Sequence, residues 1–278
     1  MNKFPPAVLV SLCLTLVSCG QDQYSIEREY YQAKKQVQII LNDPHATPPD
    51  QLQNTVDTLN DFIHQHPKSN LALEAQFNIA KLYIATQAYE KGRSQLNKII
   101  QTYSKFRSVC AEAFILKGNS YEAQNRWDMA LGEYNHVIES YPLTEKGLEA
   151  PIYIAMHYKT KYQPDEMTQA FRQAIKHYDS LAESHPMTPL ALHLNILTAQ
   201  CYADLEDWNN VIAAFNAMLR KYKGKARLDE ILIDLAMVYD QKLHDKVKTK
   251  ETLEKLLQDY PTSQFRPLVQ SMLKKTSP

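Results

Sequence analysis

Apolar residues recur three and four positions apart through most of the chain, with polar residues between them. LNKIIQTY (96–103), LGEYNHVIESY (131–141) and LEKLLQDY (253–260) show the pattern. That period places the apolar residues on one face of an α-helix. Each run ends at a site that stops a helix: His66-Pro67, Tyr103-Ser104, Tyr141-Pro142, His185-Pro186, Tyr222-Lys223 and Tyr260-Pro261. Proline lacks an N–H and clashes with the preceding turn, so a helix interior cannot continue through it. Successive sites lie 37, 38, 44, 37 and 38 residues apart. A recurrence of this length marks an internal repeat whose unit is too small to bury its apolar face without its neighbours.

Each interval holds two predicted helices. The first ends near a tyrosine (Tyr83, Tyr121, Tyr158, Tyr202, Tyr239), with a small residue three positions earlier (Ala80, Gly118, Ala155, Ala199, Ala236). An aromatic residue opens the second helix in three intervals: Tyr89, Trp127 and Trp208. The segment 118–142 carries the full set: Gly118, Tyr121, Trp127, Ala130, Tyr134 and Pro142. This pattern resembles the tetratricopeptide repeat. The resemblance implies an all-α fold, a solenoid of antiparallel helix pairs with a concave groove. It covers about five repeats over residues 68–262, plus capping helices. Repeats one and four lack the closing proline, and repeat five is degenerate. The second helix of repeat three, about 164–184, is longer by about seven residues, two turns, which preserves its apolar face. The turn sites also recur at 119 residues (66/185, 103/222, 141/260), which fits either a duplicated three-repeat block or the mutual likeness of similar repeats. A helix at 24–41, a proline-containing linker at 42–49 and a helix at 50–65 would cap the first end. Pro267 to Lys275, with Leu268, Met272 and Leu273 facing inward, would close the other.

The first residues have a different character. Lys3 precedes an apolar run from Ala7 to Val17, too short to span a bilayer and suited to a secretory signal. The run ends in Leu16-Val17-Ser18-Cys19, which resembles the lipobox of bacterial lipoproteins. The resemblance implies cleavage before Cys19, a diacylglyceryl group on its sulfur and acylation (for example palmitate) of its new amino group. An ordinary signal peptide with a cysteine at its cleavage site is the alternative. Gly20, where such lipoproteins retained at the inner membrane carry Asp, implies the outer membrane in a host with two membranes. The expected organisation is 1–18 signal peptide, 19–49 lipidated N-terminus with helix and linker, and 50–278 repeat domain with its closing helix.

Composition narrows the functions. Lys+Arg and Asp+Glu both number 31, so the chain has no overall basic footprint for nucleic acid. Its densest basic cluster, Lys221, Lys223, Lys225 and Arg227, reads as a solvated turn. Only 6 glycines accompany 17 tyrosines, which suits helices joined by short turns and disfavours a phosphate loop. Tyr30-Tyr31 and Tyr202 sit at core spacing. Cys110 and Cys201 lie in apolar helical segments and read as buried free thiols, although an oxidising compartment would permit a disulfide. HExxH, GxSxG, Walker and CxxC motifs do not occur. His64 and His66, two residues apart, cannot share a helix face as metal ligands. No catalytic residue, metal, cofactor or small-molecule substrate is therefore expected, and the chain reads as a binding protein rather than an enzyme.

In tetratricopeptide proteins, positions two, five and nine of the first helix tend to face the groove. Position two is Glu74, Glu112, Glu149, His193 and Glu230. Position five is Phe77, Ile115, Ile152, Ile196 and Ile233. Position nine is Lys81, Asn119, Met156, Gln200 and Met237. An apolar ladder beside an acidic one suits a peptide with apolar anchors and basic flanks. The same ladder also fits packing between repeats, with Glu favoured by the helix macrodipole in a first turn. The lipobox, the repeats and Pro67-x-Ser69-x-x-Ala72 together resemble the BamD-like lipoproteins of outer-membrane β-barrel assembly. That resemblance implies a membrane-anchored scaffold for envelope proteins or peptides. Cell-division, Tol-Pal and pilus-assembly lipoproteins of the repeat class fit the same features.

Overall fold

The computed structural model describes residues 14–276, with side chains from 23 to 274. The expected signal peptide falls largely outside the described residues, and so does the side chain of Cys19. All regular structure among the described residues is helical. The helices are α1 (Leu14–Asn42), α2 (Pro49–Gln65), α3 (Asn70–Ala85), α4 (Tyr89–Thr102), α5 (Arg107–Glu122), α6 (Trp127–Ser140) and α7 (Glu145–Thr160). They continue with α8 (Pro164–Ser184), α9 (Pro189–Asp204), α10 (Trp208–Lys221), α11 (Asp229–Met237), α12 (Lys246–Asp259) and α13 (Arg266–Thr276). A π-helical turn, Val238–Lys242, extends α11. The chain divides into two compact units, Met1–Ala150 and Pro151–Pro278.

The helix starts follow the sequence signals closely. Tyr89, Trp127 and Trp208 are the first residues of α4, α6 and α10. The first helices α3, α5, α7 and α9 each have 16 residues. The second helices α4, α6, α10 and α12 each have 14, and α8 has 21, the lengthening expected from the sequence. Side chains of Ser69, Thr188, Asp207 and Asp245 accept hydrogen bonds from backbone N–H groups in the first turns of α3, α9, α10 and α12, satisfying donors that have no partner inside the helix. Every turn within a helix pair contains one residue of positive φ: Gln87, Asn125, Tyr162, Glu206 and His244. None is glycine, so a glycine-poor chain makes these turns at some cost in backbone strain.

In the unit Met1–Ala150, α1 and α2 cap the first repeat. Tyr30, Val37 and Ile40 pack with Val56, Leu59 and Phe62 of α2 and with Ile79 and Leu82 of α3. Asn78 donates to the Tyr30 hydroxyl at 2.8 Å. Tyr31 is 64% exposed, against the expected core position, because its neighbour Tyr30 takes the inward face. The next interface uses the small residues: Ala80 packs with Leu96, Ile99 and Ala113. Gly118 lies against Tyr134 so closely that a Cβ there would stand 2.3 Å from the ring. Between α4 and α5 the buried Arg93 donates to Ser120 Oγ (3.0 Å) and Gln124 Oε1 (2.9 Å), pairs with Glu90, and stacks on Tyr121. Burial of that charge is tolerable because its donors are satisfied.

In the unit Pro151–Pro278, Val211, Phe215 and Met218 of α10 pack with Ile231 and Leu235 of α11. The closing helix covers Leu232, Ile233, Ala236, Leu253 and Leu256 with Val269, Met272 and Leu273. Leu268 is 48% exposed, correcting the expected inward set. Val269, Met272 and Leu273 share one face at spacings of three and four, and Leu268 is one position out of phase. Cys110 and Cys201 are free and buried. Burial pushes the Cys201 thiol up to about 12, with Asp204 and Asp179 adding to it.

Candidate protein-interaction surface

The first-helix positions singled out in the sequence do not share one environment. In the unit Met1–Ala150, the acidic positions are matched by lysines. Lys34 of α1 reaches Glu74 at 2.7 Å. Lys146 stands between Glu149, at 2.7 Å, and Glu112, at 4.0 Å. The hydrogen bond to Glu149 raises the Lys146 pKa against the opposing effect of burial, and Glu112 and Glu145 reinforce it. Phe77 and Ile115 are half-buried, and Phe77 packs on the Ala80–Leu96–Ile99 cluster. Lys81 is half-buried and Asn119 is exposed.

In the unit Pro151–Pro278, Ile152 and Met156 are half-buried, and His193, Gln200 and Glu230 are exposed. Ile233, only 5% exposed, lies within the core under α12 and α13 and is not available to a partner. Ile196, at the same repeat position, is half-buried and packs beside Val211 and Phe215. It lines an open cavity of about 380 Å³ between α9, α10 and α11, together with Gln200, Phe215, Asp234, Met237 and Lys242. Direct contact between α9 and α11 is slight, so α10 side chains form the floor. Met237 is 38% exposed at the rim. The cavity thus unites Ile196, Gln200 and Met237 from the sequence ladder with two charged residues the ladder does not contain.

Those two are Asp234 and Lys242. Partial desolvation of the Asp234 carboxylate against the cavity wall, and the negative charge of Glu230 one turn earlier, hold its pKa above the usual carboxylate range. Lys242 sits in the π turn with its ammonium 5.0 Å from the centre of the Trp208 ring. The π turn closes with Leu243 N–H bonded to Val238 C=O at 3.2 Å. Such turns widen a helix locally and are common at functional positions. Asp234 lies within the apolar stretch ILIDLAM (231–237), and only its spacing of four from Glu230 hints that both share a face.

Among the described residues, no group of three His, Cys, Asp or Glu side chains is arranged to hold a metal ion. No helix of the described residues is long and apolar enough to cross a membrane. A cavity of about 410 Å³, between α2, α3 and α4, is lined by Asn60, Glu90, Lys91 and Lys98.

The tetratricopeptide repeat model matches residues 74–105, 112–144 and 230–263. These are repeats one, two and five, so the repeat with the most degenerate pattern is nonetheless matched. No curated protein sequence matches the chain. Among solved structures, it is similar to the TPR2AB-domain:pHSP90 complex of yeast Sti1, with 14% identity over 92% of this chain and 100% of that one, at a TM-score of 0.35. It is similar to BtubC from P. vanneervenii, with 14% identity over 85% and 91% of the two chains and a TM-score of 0.41. A tetratricopeptide repeat protein from Parabacteroides merdae gives 14% identity, 94% and 97% coverage, and a TM-score of 0.37. The repeat matches and the succession of 16- and 14-residue helix pairs carry the assignment: the chain contains tetratricopeptide repeats and has the all-α helix-pair fold of that repeat class.

Proposed function

We propose that this chain is a lipid-anchored scaffold that faces the periplasm from the outer membrane and holds envelope proteins or peptides on the first-helix faces of its repeats. The observation that carries the binding role is the open cavity at Ile196 and Met237, where apolar surface and unpaired charge stand together outside the core. Sites of this kind hold peptide segments by apolar anchors, with polar groups setting register. The anchor rests on Leu16-Val17-Ser18-Cys19, since several acyl chains hold a protein at a membrane where one is marginal. Assembly of outer-membrane β-barrels is the process we favour, on the combined lipobox, repeats and Pro67-x-Ser69-x-x-Ala72 segment.

Two experiments test the reading. Cys19→Ala is expected to release the chain from membranes or leave it unprocessed, and a cleaved Cys19→Ala chain that stays on membranes contradicts the anchor. Affinity purification from solubilised membranes is expected to recover barrel-assembly subunits. Recovery of division or pilus subunits in their place reassigns the process and leaves the scaffold role intact.

A further inference from the structure

Negative charge on the first-helix faces is unequally compensated. Glu74, Glu112 and Glu149 have lysines within 4.0 Å, as described. In the other unit, Glu230 and Asp234 have no cation within ion-pair distance among the described residues. The guanidinium of Arg227, whose charge is felt at Glu230, is bound to Asp229 at 2.6 Å. Lys242 lines the same cavity as Asp234 but is directed onto Trp208. The two carboxylates stand one helical turn apart on α11 and repel each other. Apolar surface from Ile196, Phe215 and Met237 lines the cavity with Asp234, and Glu230 stands one turn before Asp234 on the same helix.

We propose that this cavity receives an extended segment of a partner protein, one apolar side chain entering between α9 and α11 and an adjacent Lys or Arg meeting Glu230 and Asp234. The proposal rests on the protein-binding reading above and adds the chemistry of the partner. Charge complementarity selects this occupant. A cation removes the repulsion between the carboxylates, and a low-dielectric wall strengthens its attraction. An acidic segment would add a third negative charge at the same place. Lys242 fixes the polarity of the site. The carboxylates lie toward the start of α11 and the ammonium at the end of the π turn, so the partner's cation enters at the Glu230 end.

The test uses the full-length chain in mild detergent and a set of fluorescent heptapeptides. Each peptide has one Leu, Met or Phe anchor, with Lys, Arg, Gln or Glu placed at each neighbouring position in turn. Lys and Arg peptides are expected to bind about tenfold more tightly than their Gln counterparts, a preference that weakens as salt is raised. Asp234→Asn and Glu230→Gln, both at exposed positions, are expected to reduce that preference to less than about twofold with helicity unchanged. Ile196→Asp should remove binding of every peptide. Equal binding of Gln or Glu peptides, a preference untouched by Asp234→Asn, or no saturable binding by any peptide each overturns the proposal. A chain that still recovers envelope partners from membranes while failing these tests keeps the scaffold role and loses this site. Failure of both removes the scaffold role as well.

Discussion

Gly118→Ala is expected to destabilise the chain even though alanine is the better helix former. Within α5 the substitution favours the helix by about 1 kcal/mol, because alanine loses less backbone entropy. Against this, the new Cβ would lie 2.3 Å from Tyr134 Cε1 and 2.8 Å from Cδ1 and Cζ, where ordinary contact begins near 3.4 Å. The ring must therefore retreat by about 1 Å. It cannot do so freely, since Tyr134 is fully buried and its hydroxyl lies 2.8 Å from Asn119 Oδ1 and 2.9 Å from Glu122 Oε2. Overpacking of this kind costs about 1–3 kcal/mol, and a weakened buried hydrogen bond about 1 kcal/mol more. The net expectation is a loss of about 1–3 kcal/mol. Gly132 in α6 is the control: a Cβ there meets nothing within 4 Å, so Gly132→Ala should stabilise by about 0.5–1 kcal/mol. Urea unfolding followed by far-ultraviolet circular dichroism reads both. A Gly118→Ala midpoint at or above that of the parent chain refutes the close approach of α5 and α6.

Three further outcomes follow from burial and backbone geometry. Burial lowers the His177 pKa below its ordinary 6.5, and among the described residues His177 Nε2 is buried without a hydrogen-bond partner. The unfolded chain therefore binds this proton first, so stability should fall as pH drops from 6.5 toward the lowered value, and His177→Met should flatten that slope in urea midpoints measured against pH. Asp179 and Asp234, raised from 3.8 chiefly by desolvation, act from 3.8 upward and with the opposite sign. Cys110 and Cys201 should resist iodoacetamide at pH 8 until denaturant is added, as mass spectrometry of the alkylated chain will register; rapid labelling of the folded chain contradicts their burial. Tyr162 has φ 56° and is 93% exposed. Tyr162→Gly should relieve strain and raise the thermal midpoint by an amount reflecting about 1 kcal/mol, whereas a lowered midpoint would show that the tyrosine is held by contacts.

Features written along one helix are legible in the sequence. Turn sites, the aromatic openings Tyr89, Trp127 and Trp208, and the two extra turns of α8 depend on local spacing and on proline chemistry, both present in the sequence. Features that depend on what covers a helix are not. Ile196 and Ile233 occupy the same repeat position, yet α12 and α13 bury Ile233 while Ile196 lines a cavity. Nothing near either residue distinguishes them. Leu268 and Val269 differ by one position in a short apolar segment, where periodicity is too brief to fix the phase. Pairing of Glu112 and Glu149 through Lys146 depends on the turn that brings α5 beside the start of α7, and Asp234 is masked by the apolar residues around it.

Binding of a partner at the cavity between α9 and α11 is most directly tested by photo-cross-linking in intact cells. A photoreactive amino acid is placed at Gln200 or Met237, facing the cavity, and at Gln258, exposed on α12, as the comparison. The expected result is a discrete adduct with one envelope protein from Gln200 and Met237, absent from Gln258 and lost when Ile196→Asp is added. Adducts of equal intensity from all three positions, or none from Gln200 and Met237, would contradict the account.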